Sequence, residues 1–272
     1  MISVYGGTGF IGKNFISQSK FETSLVPKNG AAPISNKILY CIGTTDNYNV
    51  LTNSTLDIET NLLLLVKNLD LIRSKFKTFE FNFLSSWFVY GTGQTPPFKE
   101  SGGCDPRGFY SISKFSAELY LRSYCESFGI NYRIIRLANV FGRNDLGISK
   151  KKNALQYLIS EIRANRDVDL YHGGNFLRDY IDVRDVVTAL DLIMDTSQIN
   201  EVYNVGSGNP SKFLDLLEEV KKSSGSSSTF RSVDPPEFHK AVQVKDSWLN
   251  TDKIMDLGFK VMYPINREVK DL

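Results

Sequence analysis

Histidine is scarce in this chain. Only His172 and His239 occur among 272 residues, too few to build a metal hydrolase or an imidazole-based triad with ease. Cysteine is scarce as well. Cys41, Cys104 and Cys125 are odd in number and far apart, which points to reduced thiols in a cytoplasmic protein and away from a disulfide framework or a metal site. Long apolar runs are missing: the longest wholly aliphatic stretch, Leu62-Leu63-Leu64-Leu65-Val66, is far too short to cross a bilayer. Met1-Ile2-Ser3-Val4-Tyr5 has no basic start followed by an apolar core, so neither a signal peptide nor a membrane partner is expected. Excess charge is also missing. Lys plus Arg number 32 and Asp plus Glu 30, a net +2, which gives no electrostatic case for nucleic acid. What remains is ordinary for a globular chain: 42% hydrophobic and 23% charged residues, enough for one large domain or a domain with a smaller one appended.

Strand-like and helix-like segments alternate through the first half. Strands are expected at Ile2–Tyr5, Ser24–Val26, Lys37–Ile42, Phe79–Leu84 and Asn131–Leu137, with helices at Phe10–Ser19, Thr55–Lys75 and Gly108–Phe128. Such alternation implies a parallel sheet covered on both faces. The second half is more mixed, with helices expected at Asn153–Ala164 and Val183–Met194 and a strand at Val202–Val205. Pro210 suits the first turn of a helix running to about Lys222, and Ser223–Ser228 reads as a flexible surface loop. Lys150-Lys151-Lys152 reads as a solvated helix entrance, with a phosphate-facing role as the sharper alternative.

Strand Ile2–Tyr5 runs into Gly6-Gly7-Thr8-Gly9-Phe10-Ile11-Gly12 and then a helix. A sharp reversal needs glycine, as do close approach of backbone to a pyrophosphate and close helix–strand packing. The amides at the helix start then face an anion. A glycine turn without a ligand is the plainer reading. A Rossmann site usually carries Asp or Glu roughly 20 residues on, for the ribose hydroxyls. Here Leu25-Val26-Pro27-Lys28-Asn29 offers no carboxylate. Lys28 either pairs with a 2′-phosphate, which leans the cofactor from NAD toward NADP, or is an exposed turn lysine.

Tyr110 and Lys114 are four residues apart in the segment that opens the long helix, and so share a face. A free phenol titrates near ~10, and a neighbouring ammonium is expected to lower that value. Such a pair can exchange a proton with a sugar hydroxyl or ketone while hydride moves to or from nicotinamide. Upstream, Phe83-Leu84-Ser85-Ser86-Trp87-Phe88-Val89-Tyr90-Gly91 closes a strand, and ligands of open α/β sheets bind at the carboxyl ends of the strands. Ser86 either hydrogen-bonds the oxygen that Tyr110 protonates or caps a turn.

On these motifs the chain resembles the extended short-chain dehydrogenase/reductase family of nucleotide-sugar epimerases, dehydratases and reductases. The resemblance runs nearly end to end. It implies a Rossmann-like doubly wound parallel α/β sheet, carbohydrate biosynthesis and NAD or NADP as cofactor. By resemblance the cofactor site takes in Gly6, Gly9, Phe10, Ile11, Gly12, Lys28, Ile42, Gly43, Asn61, Tyr110 and Lys114, and no metal. Ser86, Tyr110 and Lys114, followed by Glu118, look like the catalytic set, with Lys114 also holding the nicotinamide ribose. Ser86, Trp87, Phe88, Asn139 and Arg178 look like the substrate side. There Asn139 of Arg136–Gly142 contacts the diphosphate, and Arg178 of Tyr171–Val183 grips the nucleotide phosphates. The bland alternative makes Arg178 a structural partner of Asp179 or Asp182.

The departures from the family pattern are informative. Only Gly30–Asn36 separates the second strand from Lys37–Ile42, so the third-strand unit flanking the adenine is expected to be missing. A second phosphate-binding arginine near the C-terminus is replaced by nothing closer than Lys240 and Lys245. Relatives that perform 4,6-dehydration carry an Asp-Glu pair where Trp87-Phe88 stand, so dehydration is disfavoured. The expectation is an NAD(P)-dependent 4-epimerase or 4-ketoreductase of a nucleotide sugar; the alternative is an inactive cofactor-binding scaffold or redox sensor. The dinucleotide-binding domain is expected over 1–147 and 180–206, with a substrate lobe over 148–179 and 207–272. The resemblance also implies a homodimer through helices Thr55–Lys75 and Gly108–Phe128, with Leu65, Leu69 and Leu119 either in that interface or in the chain's own core.

Overall fold

The computed structural model describes residues 1–27, 32–143, 145, 149 and 153–272. Lys28 and Lys150-Lys151-Lys152 lie outside the described residues. The chain opens with β1 (Ile2–Tyr5), α1 (Phe10–Gln18), β2 (Thr23–Val26) and β3 (Lys37–Tyr40). A helical stretch follows in three joined pieces: α2 (Leu56–Ile58), a π-helical segment Glu59–Leu63, and α3 (Leu64–Lys75). Then come β4 (Glu80–Ser86), α4 (Phe109–Phe128) and β5 (Asn131–Leu137). The second half adds β6 (Asn139–Phe141), α5 (Ala154–Arg163), β7 (Val168–Tyr171), β8 (Leu177–Arg178), β9 (Tyr180–Asp182) and α6 (Val183–Asp195). It continues with β10 (Glu201–Val205), β11 (Ser211–Lys212), α7 (Phe213–Ser224), β12 (Phe230–Val233) and α8 (Glu237–Val242).

The central sheet has six strands in the order β10-β5-β4-β3-β1-β2, all parallel. β3 pairs directly with β1, Val4 opposite Leu39, so the order is that of a Rossmann sheet without its third-strand unit. Side chains alternate between two cores, as the period of two requires. Val4, Leu39, Leu84 and Ile135 join one cluster with Phe15 and Leu190. Tyr5, Tyr40, Phe83 and Ile134 join the other with Leu65, Leu69 and Leu121. A third cluster includes Phe141, Leu155, Ile159, Phe213, Leu217 and Val269.

Three local expectations are corrected. Pro210 does not open a helix: Ser211–Lys212 pairs antiparallel with Leu177–Arg178, and α7 begins at Phe213. The serine run is no free loop. Ser223 and Ser224 end α7, Gly225 takes φ +65° at its C-cap, and Ser226 and Ser228 donate to the Ile162 carbonyl. Leu65 and Leu69 are wholly buried within the chain's own core, whereas Leu119 is 50% exposed.

Candidate active site

The glycine turn connects β1 to α1 without side-chain help. Gly6 has φ +76°, and a Cβ at Gly12 would stand 2.5 Å from the Gly6 carbonyl oxygen, so both positions require glycine. Gly9 caps α1 with no side-chain hydrogen bond, which leaves the first amides of the helix for an anion. These residues face a cavity of about 990 Å³ that runs along the carboxyl ends of the strands. Gly6, Gly9, Phe10, Ile11, Gly12, Ile42, Gly43, Ser86, Trp87, Phe88, Tyr110, Lys114, Asn139 and Arg178 all line it. No described residue between Lys13 and Tyr40 does so.

Asn61 is the expected site residue that stands behind the lining. Its Oδ1 accepts the Thr44 N–H at 2.9 Å, and its Nδ2 donates to Thr44 Oγ1 and Ser113 Oγ, each at 2.8 Å. It sits in the π-helical segment, a distortion common at functional sites. The buried Asp57 accepts from Thr44 Oγ1 at 2.6 Å. This network ties the loop after β3 to α4. A Cβ at Gly43 would stand 3.2 Å from Asn61 Oδ1 and 3.5 Å from Lys114 Nζ, so a side chain there would press into that corner.

Strand β4 ends at Ser86, and Trp87–Tyr90 form a single helical turn. Ser86 Oγ accepts the Phe88 N–H at 3.4 Å, so it caps the turn, and it also acts on the Tyr110 phenol. Burial pushes the Tyr110 phenol up to about 12, with Ser86 pulling down and the Asp57 charge adding to the rise. The expected lowering by Lys114 is not seen: the influences on the phenol are burial, Ser86 and Asp57, and burial dominates. Lys114 is itself pushed down to about 8 by burial, against the charges of Glu118 and Cys41. Its Nζ donates to the Leu84 carbonyl at 2.6 Å and lies 4.1 Å from the Phe83 ring centroid. One helical turn on, buried Glu118 pairs with buried Arg136 at 2.6 Å.

At the far end of the cavity, Arg178 donates to the backbone carbonyls of Leu177 at 2.9 Å, Val244 at 3.0 Å, and Lys245. It forms no ion pair with Asp179 or Asp182, which are otherwise engaged. Asp179 accepts from Ser207, Gly208 and Leu249, and Asp182 binds Arg184. The structural-pair alternative for Arg178 is thereby corrected. Burial lowers the pKa of Arg178, with Tyr180 and Asp246 opposing. Asn139 accepts from Trp87 Nε1 at 3.3 Å and donates to the Asp179 carbonyl at 2.9 Å.

Sequence reasoning missed Tyr48, Tyr171 and the two histidines, all of which line the same cavity. Tyr48 and His239 are hydrogen-bonded at 2.6 Å, 191 residues apart in sequence. The Tyr171 ring lies 4.8 Å from that of His239. Burial, then the charges of Arg178 and His172, push His239 down to about 4. The signal that was available is the scarcity itself: a chain with two histidines places both in one cavity. Lys240 and Lys245, noted as the nearest cations, line it too.

Comparison with known proteins gives a consistent result. The model of the NAD dependent epimerase/dehydratase family matches residues 38–206. The structure of Thermus thermophilus UDP-glucose 4-epimerase complexed with NAD is similar with a TM-score of 0.85 at 21% identity, over 99% of this chain and 96% of that one. RMD from Pseudomonas aeruginosa complexed with NADPH gives 0.84 at 20% identity over the same shares. Both likenesses concern the fold. The dTDP-D-glucose 4,6-dehydratase of Mus musculus is 26% identical over 70% of this chain and 54% of its own length.

Proposed function

From the premise that the chain belongs to the NAD dependent epimerase/dehydratase family, we propose that it is an NAD(P)-dependent 4-epimerase or 4-ketoreductase of a nucleotide-activated sugar. One observation carries this reading. A single cavity joins the open helix start of α1, the Ser86–Tyr110–Lys114 group and the Arg178 guanidinium. The glycines fit a dinucleotide, since a Cβ at Gly12 would collide with the Gly6 carbonyl and Gly7 Cα and force apart the tight turn that presents the helix start. Gly6, Gly9, Phe10, Ile11 and Gly12 would hold the diphosphate, with Ile42 and Gly43 beside it and Asn61 fixing that loop. When bound, the dinucleotide supplies or accepts the hydride.

Tyr110, protonated at neutral pH with its phenol near 12, donates its proton to the carbonyl oxygen of the sugar as the carbon is reduced, and takes it back in the reverse direction. Ser86 holds the same oxygen. Lys114 supports the tyrosine and the ribose. Arg178 and Asn139 hold the sugar nucleotide's diphosphate, with Lys245 near by, and residues 148–179 and 207–272 form the lobe that closes over it. Trp87 and Phe88 supply no acid or base, which disfavours dehydration. Without a carboxylate after β2, the choice between cofactors leans to NADP.

We set aside the inactive scaffold, because a site without turnover has no need of Ser86, Tyr110, Lys114 and Arg178 together. Exposed Phe109, Ile112, Leu119 and Tyr120 on α4 support a homodimer through that helix, which sedimentation at micromolar concentration tests. We place the protein in the cytoplasm, where its three free thiols stay reduced. The activity is tested by incubating UDP-, dTDP- and GDP-sugars with NAD or NADP, and their 4-keto forms with NADH or NADPH. Epimer interconversion without net change in nicotinamide absorbance marks an epimerase, and stoichiometric oxidation marks a reductase. Absence of both across the panel overturns the reading.

A further inference from the structure

Tyr48, on the loop after β3, and His239, on α8, are hydrogen-bonded at 2.6 Å, Oη to Nδ1. Both line the cavity and both are half-buried, whereas Tyr110 and Lys114 lie buried. Each of the two segments is fastened elsewhere. On the Tyr48 side, Asn49 Nδ2 and Thr44 Oγ1 donate to Asp57 at 3.0 and 2.6 Å, and Asn61 binds Thr44. That loop is thus anchored at the corner where Gly43 stands beside Lys114. On the His239 side, buried Val242 ends α8 against the head of α4, where a Cβ at Gly108 would stand 3.3 Å from Val242 Cβ. The chain then runs on to Val244 and Lys245, whose carbonyls hold Arg178. Between these anchorages the join is thin. Among the described residues, no backbone hydrogen bond links 44–53 to 237–245. Side chains bridge them: the Tyr48–His239 hydrogen bond, and the Tyr48 ring with its centroid 5.4 Å from that of Phe238. The bridge runs from the Lys114 corner to the segment that holds Arg178.

We propose that the Tyr48–His239 contact is a latch across the cavity, which parts each time a nucleotide sugar enters or leaves. The inference rests on the nucleotide-sugar reading above and deepens it. One side-chain hydrogen bond shifts the balance of closed and open forms by a factor of about five, strong enough to favour closure and weak enough to break at every turnover. The latch joins protein to protein and includes no ligand atom. Weakening it therefore speeds entry and exit alike and leaves affinity nearly unchanged. A side chain that gripped the ligand would, when truncated, speed exit and weaken affinity.

The test uses the full chain with saturating NAD or NADP. Stopped-flow fluorescence follows binding and release of anthraniloyl derivatives of UDP, dTDP and GDP. For the nucleotide that binds, Tyr48→Phe and His239→Phe should each raise association and dissociation rates about five-fold, with Kd changed by less than about two-fold. The double variant should be no faster than either single one, because both lose the same bond. Faster dissociation with Kd weakened in proportion makes the pair a ligand contact and overturns the latch. Unchanged rates, or effects that add in the double variant, overturn it too. Hydrogen exchange of the unmodified chain gives a second measurement that needs no variant. Residues 44–53 and 237–245 should open with one shared free energy, below that of α4; segments that open independently overturn the latch. Each of these failures leaves the nucleotide-sugar reading standing, whereas failure of all three nucleoside diphosphates to bind overturns both.

Discussion

The two ends of the cavity are built differently. The Ser86–Tyr110–Lys114 end sits on the last residue of β4 and the first turns of α4, backed by the Asn61 network and the buried Glu118–Arg136 pair. The Arg178 end rests on a two-residue strand and a six-residue helix, joined by contacts between segments far apart in sequence. Regular elements hold side chains to small tolerances. Short pieces held by a few cross-chain hydrogen bonds open more readily. The chemistry thus sits on the rigid end and the grip on the phosphates on the more adaptable one.

The largest expected effect tests the rigid end. Glu118→Ala leaves the Arg136 guanidinium buried without its partner, and should cost about 3–5 kcal/mol of stability, read from urea midpoints. If Arg178→Ala costs as much, the contrast between the ends fails. Next in size, Tyr110→Phe should lower turnover by roughly 100-fold or more while dinucleotide affinity stays nearly intact. Ser86→Ala should lower turnover less, since it removes a supporting hydrogen bond and leaves the proton donor. At the other end, Arg178→Ala should raise KM for the sugar nucleotide roughly ten-fold, the worth of a charge-assisted hydrogen bond. Its dinucleotide affinity should be unchanged and its melt should no longer shift with nucleoside diphosphate; a shift that survives would remove Arg178 from the phosphate site.

The smallest effect sharpens the comparison through pH. The His239 pKa is about 4 in the fold against 6.5 when free. Between those values the unfolded chain holds more protons than the folded one, so each step down in pH takes stability away. The contribution is full above about 6.5 and lost as pH falls to about 4. Melting temperature should drop across this window, and His239→Gln should flatten the drop. A Tyr48→Phe variant should flatten it in part, because the neutral ring then lacks its hydroxyl partner. An unchanged slope in His239→Gln would assign the loss to other groups.

Much of the rigid end was legible from residue order. The glycine spacing, the Tyr110–Lys114 interval and the Ser86 strand are local patterns, and local backbone geometry turns them directly into a shared face or a strand end. The short gap before Lys37 likewise announced the missing third-strand unit. Three things were not legible. The Tyr110 phenol rises because burial, not a neighbouring ammonium, is the largest influence on it, and burial is a property of the packed whole. Pro210 opens no helix because Ser211 and Lys212 find partners in β8. Leu65 and Leu69 turn inward while Leu119 stays exposed, a choice that helical periodicity leaves open when leucines occupy more than one face.

By itself, the order of residues determined the alternation of strands and helices, the phosphate-cradling turn and the candidate acid–base residues, because each rests on spacings of a few positions. Only the tertiary structure decided that His239 meets Tyr48, that Arg178 is held by backbone carbonyls and not by Asp179 or Asp182, and that an aromatic wall spans the distance between proton donor and guanidinium. The His239 and Arg178 contacts join segments separated by many tens of residues. No local propensity encodes them, since they form only when two hydrophobic faces of one sheet and a third apolar cluster close together.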